Sequence, residues 1–354
     1  MNSFGRAELR RRQFLSAGSA LFLAPACTRV PSREAVLATL VDEVVVSDLD
    51  EVERRGRDLV LAARRLEQAP ALPELMALRA AWRRAALAWR RAAAFRAGPL
   101  LDSQALTRVL YWPPRRGAIA EALTSTRDVD ASFVAELGAD VKGLYALEYC
   151  LFDSAEGSAW AKLGGGSAHA RRLVSLYAED VCAHAEAAKR ALAQAGYVKA
   201  FTRAGQDSIN LLVSLLAENV ERFAVARLNV VLWLASMQRL GPLDVEGGPS
   251  GSSHELLLAL LLGCQRLYAG SVVANLSDLV RGSAERIDAH VTELFARVVA
   301  ELRALRAPVE SVALSQRNRV EAVTSSLRAL ESALKSELPT ALGVTLTFAS
   351  LDAD

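Results

Sequence analysis

Residues 276–305 read LSDLVRGSAERIDAHVTELFARVVAELRAL, with apolar side chains at Leu276, Val280, Ile287, Val291, Leu294, Val298, Leu302 and Leu305. Steps of three, four and seven residues put these side chains on one face of a helix, the near-heptad pattern of a bundle. After Pro308 the spacing resumes at Val312, Val320, Val323, Leu327, Leu330 and Leu334. Ile209, Leu212, Leu216, Val220 and Phe223 open a helix expected over residues 207–240, which Gly241-Pro242 ends, and residues 254–268 form a shorter apolar one.

The first half repeats this logic. Val36, Leu37, Leu40, Val41 and Val44 follow the cap-like Ser32; Leu75, Leu78, Trp82 and Trp89 stop at Gly98-Pro99. Val134, Leu137, Val141 and Leu144 begin a third stripe, and Leu173, Tyr177, Val181, Ala188 and Leu192 form a fourth beyond Gly164-Gly165-Gly166-Ser167. Four such helices in each half suit two four-helix-type bundles. The expected division is residues 27–198 and 199–354, with the break inside 195–206. Val344-Thr345-Leu346-Thr347-Phe348 alternates with period two, so a short extended tail is expected. The fold class is therefore all-α.

Composition agrees. Hydrophobic residues are 52% of the 354 and charged ones 23%, which excludes long-range disorder. The apolar content is mainly Ala, Leu and Val, with aromatics at only 6%, a balance that favours helices. The net charge of +2 leaves no basic excess for a nucleic-acid surface.

The N-terminus has its own grammar. Arg10-Arg11-Arg12-Gln13-Phe14-Leu15 precedes an uncharged run to Ala26. A basic start, a short apolar run and small residues describe a secretory signal over residues 1–26. That run is too short to span a membrane, which takes about 20 residues. Arg11-Arg12-Gln13-Phe14-Leu15 resembles a twin-arginine signal, and Ala24-Pro25-Ala26-Cys27 resembles a lipobox, so Cys27 is the expected lipidated first residue of a periplasm-facing or membrane-anchored protein. Cys150, Cys182 and Cys264 fall in apolar helical stretches and read as buried thiols.

One segment departs from ordinary patterning. Gly143-Leu144-Tyr145-Ala146-Leu147-Glu148-Tyr149-Cys150-Leu151-Phe152 holds a single charge, Glu148, on the spacing 137, 141, 144, 148, 151. A lone buried carboxylate costs several kcal/mol unless it is paired or neutralised. An Arg, a metal or a hydroxyl is therefore expected against it, with an Arg of the 83–96 cluster as the ion-pair alternative. The histidines offer less. His290 and Glu293 share a helical face but read as a solvated edge, His184 sits on a core stripe, and His169 and His254 carry no motif. There is no HExxH sequence, so the commonest zinc-protease design is missing.

Gly143-Leu144-Tyr145-Ala146-Leu147-Glu148 resembles the Gly-x-His-x-x-Glu motif of the imelysin family of bacterial envelope proteins. Trp82 to Trp89 followed by Phe95-Arg96-Ala97-Gly98-Pro99 and Asp102 resembles the family's helix and turn. Pro249-Ser250-Gly251-Ser252 with Gly263, Tyr268 and Gly270 resembles its second-half loop and helix, and Leu342 to Phe348 with Asp352 and Asp354 its C-terminus. The resemblance implies two facing bundles, export, a link to iron acquisition with an outer-membrane or envelope uptake partner, and a site around Gly143, Tyr145, Glu148, Arg96 and Asp102. It also implies a metal, iron or another divalent or trivalent ion, at the motif. Here Tyr145 stands where the family has His. A phenolate with Glu148 is a hard-ligand pair for ferric iron; equally, the exchange leaves a metal-free Tyr–Glu hydrogen bond. The expectation is a binding protein of imelysin type, in iron or other metal uptake with its site between the two bundles, with a metal-free structural or partner-binding protein as the alternative and a metallopeptidase third.

Overall fold

The chain is described here from a computed structural model over residues 30–152, 163–164, 167–194 and 196–346. The expected signal, Cys27, part of the glycine break and Thr347 to Asp354 lie outside the described residues. Within them every regular element is helical, and no helix is long and apolar enough to cross a membrane.

Among the described residues, five helices make the frame of the first half. Ser32 Oγ accepts from the Ala35 amide at 3.2 Å and starts α1 (Arg33–Thr39), which runs through a wider π-type turn at Leu40–Val45 into α2 (Val46–Gln68). Next come α3 (Leu72–Ala92), the short α4 (Leu144–Phe152) and α5 (Ala168–Gln194). α2 packs against both α3 and α5, and α4 lies against α3 and α5. Four short helices lie between residues 99 and 136.

The second half holds α6 (Gln206–Val220), a π-type turn at Glu221–Val225, α7 (Ala226–Ser236), α8 (Ser253–Ala269), α9 (Leu276–Leu305) and α10 (Arg317–Ser332). α9 starts with reciprocal hydrogen bonds between Asn275 and Asp278. Its expected stripe is buried, except for the partly exposed Ile287. It also kinks at Ala284, beside Gly282-Ser283, where the Ser283 hydroxyl reaches the Ala341 carbonyl at 2.9 Å.

Two expected helices end differently. The 207–240 helix closes at Ser236, because Gln238 turns to a left-handed φ of 54° and the Arg239 amide bonds back to the Leu234 carbonyl. The stripe through Leu137, Val141 and Leu144 is not one helix. A six-residue helix, Ala131–Glu136, stops there, and the chain is irregular until Gly143. Leu137 takes an extended conformation (φ −72°, ψ 142°), which ends that helix, and Gly143 at positive φ leads into the next. After Gly343, residues 344–346 have no regular secondary structure.

From Pro31 onward the described residues form one compact unit with a continuous apolar core. The expected junction at 198/199 falls on a short helix, Tyr197–Arg203. The halves meet chiefly where α3 crosses α8. Gly263 makes that crossing close: a Cβ there would stand 2.3 Å from the Arg91 carbonyl oxygen. Beside it the buried Asp48 of α2 takes ion pairs from Arg91 of α3 at 2.9 Å and Arg266 of α8 at 3.3 Å, tying three helices at one carboxylate.

Candidate functional site

Gly143 sets the position of α4. Its φ is +83°, and a Cβ would lie 2.7 Å from the Arg108 carbonyl and 2.8 Å from that of Val109. Only glycine meets both demands. Trp82 then fixes the first turn, its indole N–H donating to the Leu144 carbonyl at 2.7 Å. A Gly143→Ala exchange is expected to destabilise the protein by about 2 kcal/mol or more, read as a lowered urea midpoint with an unchanged slope. An unchanged midpoint would show that the backbone there can relax.

Helix α4 buries both motif side chains: Tyr145 is 1% exposed and Glu148 2%. They meet different partners. Glu148 accepts a hydrogen bond from the Ser250 amide at 3.1 Å, and the Ser250 side chain also acts on the carboxylate. Arg83, from α3, holds the same loop from its other side, donating to the Ser250 carbonyl at 2.5 Å and to Ser252 Oγ at 3.2 Å. Burial pushes the Glu148 carboxyl up to about 7, and the hydrogen bonding from Ser250 offsets only part of that.

Tyr145 is the member that meets an arginine. Arg90 of α3 donates to its hydroxyl oxygen at 2.9 Å, and the Tyr145 O–H donates to Glu246. Glu246 in turn is ion-paired to both Arg90 and Arg227. Burial raises the Glu246 carboxyl, and the two guanidiniums in direct contact act in the opposite sense. Burial also lowers Arg90 and Arg227, and the like charge of neighbouring Arg96 adds to it in both.

Two cavities flank this cluster. One, of about 200 Å³, is mostly apolar and is walled by Leu256, Leu257, Val309, Glu246 and Arg90. The other, of about 250 Å³, includes Arg90, Arg96, Thr107, Tyr111 and Phe223 in its wall. Arg90, Trp112, Phe223, Arg227 and Leu260 line both. Tyr145 and Glu148 line neither, and are linked to the cavities through Arg90 and Glu246.

The expected neighbours separate. Arg96 belongs to the second cavity and stacks on Phe223 at 4.1 Å, with no hydrogen bond to Tyr145 or Glu148. Asp102 is exposed at the end of the helix Pro99–Asp102, where its charge, after burial, helps push the Tyr197 phenol up to about 12. No described hydrogen bond or ion pair joins Asp102 to the motif. His290 pairs with Glu337 at 3.0 Å and Glu293 with Arg297, so those two take separate partners on an exposed face. Cys150, Cys182 and Cys264 are buried and outside any disulfide.

The motif's donor set does not fit a bare metal ion. The Tyr145 oxygen lies between a guanidinium and a carboxylate, and the positive Arg90 would repel a cation. Glu148 faces an amide, and among the described residues no group of three His, Cys, Asp or Glu side chains could hold a metal. Hard cations ask for several oxygen ligands around an open centre.

Arg90, Arg227, Glu246 and Ser250 are the members that sequence reasoning missed. Ser250 stood in a quoted stretch, but its pairing with Glu148 across 102 residues leaves no trace in local spacing.

Among solved structures the chain is similar to one from Parabacteroides distasonis named as an iron-regulated protein A precursor, with a TM-score of 0.71 and 16% identity over 89% of this chain and 97% of that one. It is likewise similar to an imelysin-like protein from Psychrobacter arcticum 273-4, with a TM-score of 0.67 and 17% identity over the same shares. No curated protein matches. Residues 45–336 match the model of the imelysin family, so the resemblance first seen at Gly143 to Glu148 extends over most of the chain, and the protein belongs to the imelysin family.

Proposed function

We propose that this protein is an exported, envelope-associated binding protein of the imelysin family that works in iron acquisition and takes a small ligand beside the motif, not a bare metal at it. The observation that carries this reading is that Arg90 and Arg227, which line both cavities, are tied to Tyr145 through Arg90 and through Glu246. Family membership, a fold neighbour named for iron regulation and the N-terminal run from Arg10 to Cys27 support export and the iron link. A lipid anchor at Cys27 would keep the protein at a membrane, within reach of an uptake partner. Peptidase chemistry gains no support: Glu148 is buried against Ser250 and offers no open face to a water or a peptide.

The test is genetic. A strain lacking the protein should grow poorly when iron is scarce, and the wild-type gene or a Tyr145→Phe variant should restore growth. An Arg227→Ala variant should not. Normal growth of the deletion strain under iron limitation would overturn the uptake role. Stoichiometric iron in the purified wild type, lost in Tyr145→Phe, would overturn the metal-free motif.

A further inference from the structure

The chemistry of the 250 Å³ cavity is one-sided. Three arginines line it and no carboxylate does. Its rim holds the exposed Thr107 and Tyr111, so it is reached from solvent. Phe223 orders the arginines by stacking, with the Arg96 guanidinium 4.1 Å and that of Arg227 5.3 Å from its ring centre. Stacked guanidiniums keep their N–H edges free to donate.

Those edges are short of acceptors. The nearest carboxylate oxygen to Arg96 is Glu218 Oε1, 3.8 Å from Nη2 and too far for a hydrogen bond. Arg96 Nε and Nη2 and Arg90 Nε are buried without a hydrogen-bond partner. Buried polar groups in folded proteins nearly always find partners, so several orphans around one cavity point to an absent group. The charges say which kind. Among the described residues Arg90, Arg96 and Arg227 pair only with Glu246 and Glu218, and Glu218 is shared with Arg222, so positive charge exceeds negative here. Burial pushes the Arg96 guanidinium down, and the negative charge of Glu218 opposes that only in part.

We propose that this cavity binds a small organic oxyanion, a carboxylate or a phosphate, through Arg96, Arg90 and Arg227. The proposal rests on the reading of the chain as a binding protein and adds the class of its ligand. An oxyanion there supplies the acceptors that Arg96 and Arg90 lack and cancels the unmatched charge. The apolar parts of Phe223 and Leu260 pack its carbon frame. Because Arg90 also holds Tyr145, an occupied cavity is coupled to the motif through one side chain.

Calorimetric titration of dialysed, signal-free protein with succinate, with its neutral isostere succinamide and with inorganic phosphate tests this. Succinate or phosphate should bind and succinamide should not, since the recognition is ionic. Preference between the two anions identifies the head group. Arg96→Gln should weaken binding by about ten-fold or more. That variant removes no hydrogen bond made in the free protein, and its thermal melt reports whether it folds. Thr107→Glu, at the exposed rim, should weaken binding through added negative charge without touching the interior. Absence of binding by both anions, or equal affinities in the wild type and both variants, would overturn the site. The growth test above speaks to the iron role alone, so either conclusion can fail without the other.

Discussion

Glu246→Gln is expected to cost about 3–5 kcal/mol of folding stability at neutral pH, the largest single loss at the site. The carboxylate is 8% exposed and is the shared counter-ion of Arg90 and Arg227, besides accepting from Tyr145. Gln keeps the shape and removes the charge, leaving two crowded guanidiniums in a poorly solvated place. Urea unfolding should show the loss as a lowered midpoint. A surface control, Glu293→Gln, breaks an exposed pair with Arg297 and should change stability by less than about 1 kcal/mol. If Glu246→Gln fell within that same range, the carboxylate would not be the charge that holds the cluster.

Glu148→Gln should act in the opposite direction, and with a pH signature. The Glu148 carboxyl titrates near 7 in the fold against an ordinary value of 4.5. Between those values the folded state holds a proton that the unfolded state has released, so folding stability falls as pH rises through this window. Below pH 4.5 the wild type carries no such penalty; above 7 the penalty is complete, at about 3 kcal/mol. Gln does not titrate, and its carbonyl can still accept from the Ser250 amide. The variant should therefore match the wild type in acid and exceed it progressively from pH 4.5 to 7, read by urea unfolding at a series of pH values. Parallel pH profiles for the two proteins would mean that Glu148 is ionised with ease.

The helices were legible because their burial is periodic. The stripe from Leu276 to Leu305 follows from side-chain spacing, a local property, whereas the helix expected to reach Gly241-Pro242 ends earlier, at Ser236. The π-type turns and the Ala284 kink were not, since they depend on what each helix packs against. At the site, Glu148 announced its burial by being the only charge in an apolar stretch. Its partner did not, because a backbone amide such as that of Ser250 has no residue identity to read. Arg90 was hidden for another reason: in the run Trp89-Arg90-Arg91 two arginines stand side by side, and only the turn of the helix decides which faces Tyr145 and which faces Asp48. Arg96 and Asp102, adjacent in a family-like turn, diverge because the chain bends at Gly98, whose φ is +52°.

The hydrogen bond from Ser250 to Glu148 joins residues 102 positions apart, and this sets an order of events. Local helices form early, whereas a contact spanning that much chain must wait until its loop has closed. The motif is thus assembled late in folding, when the second half lays its 247–253 loop against α3 and α4. A chain arrested before that step would hold its helices yet leave Glu148 wet and ionised. Protection of the Ser250 amide against hydrogen exchange should accordingly appear after that of the neighbouring helices α2 and α3, and would time the meeting of the two halves.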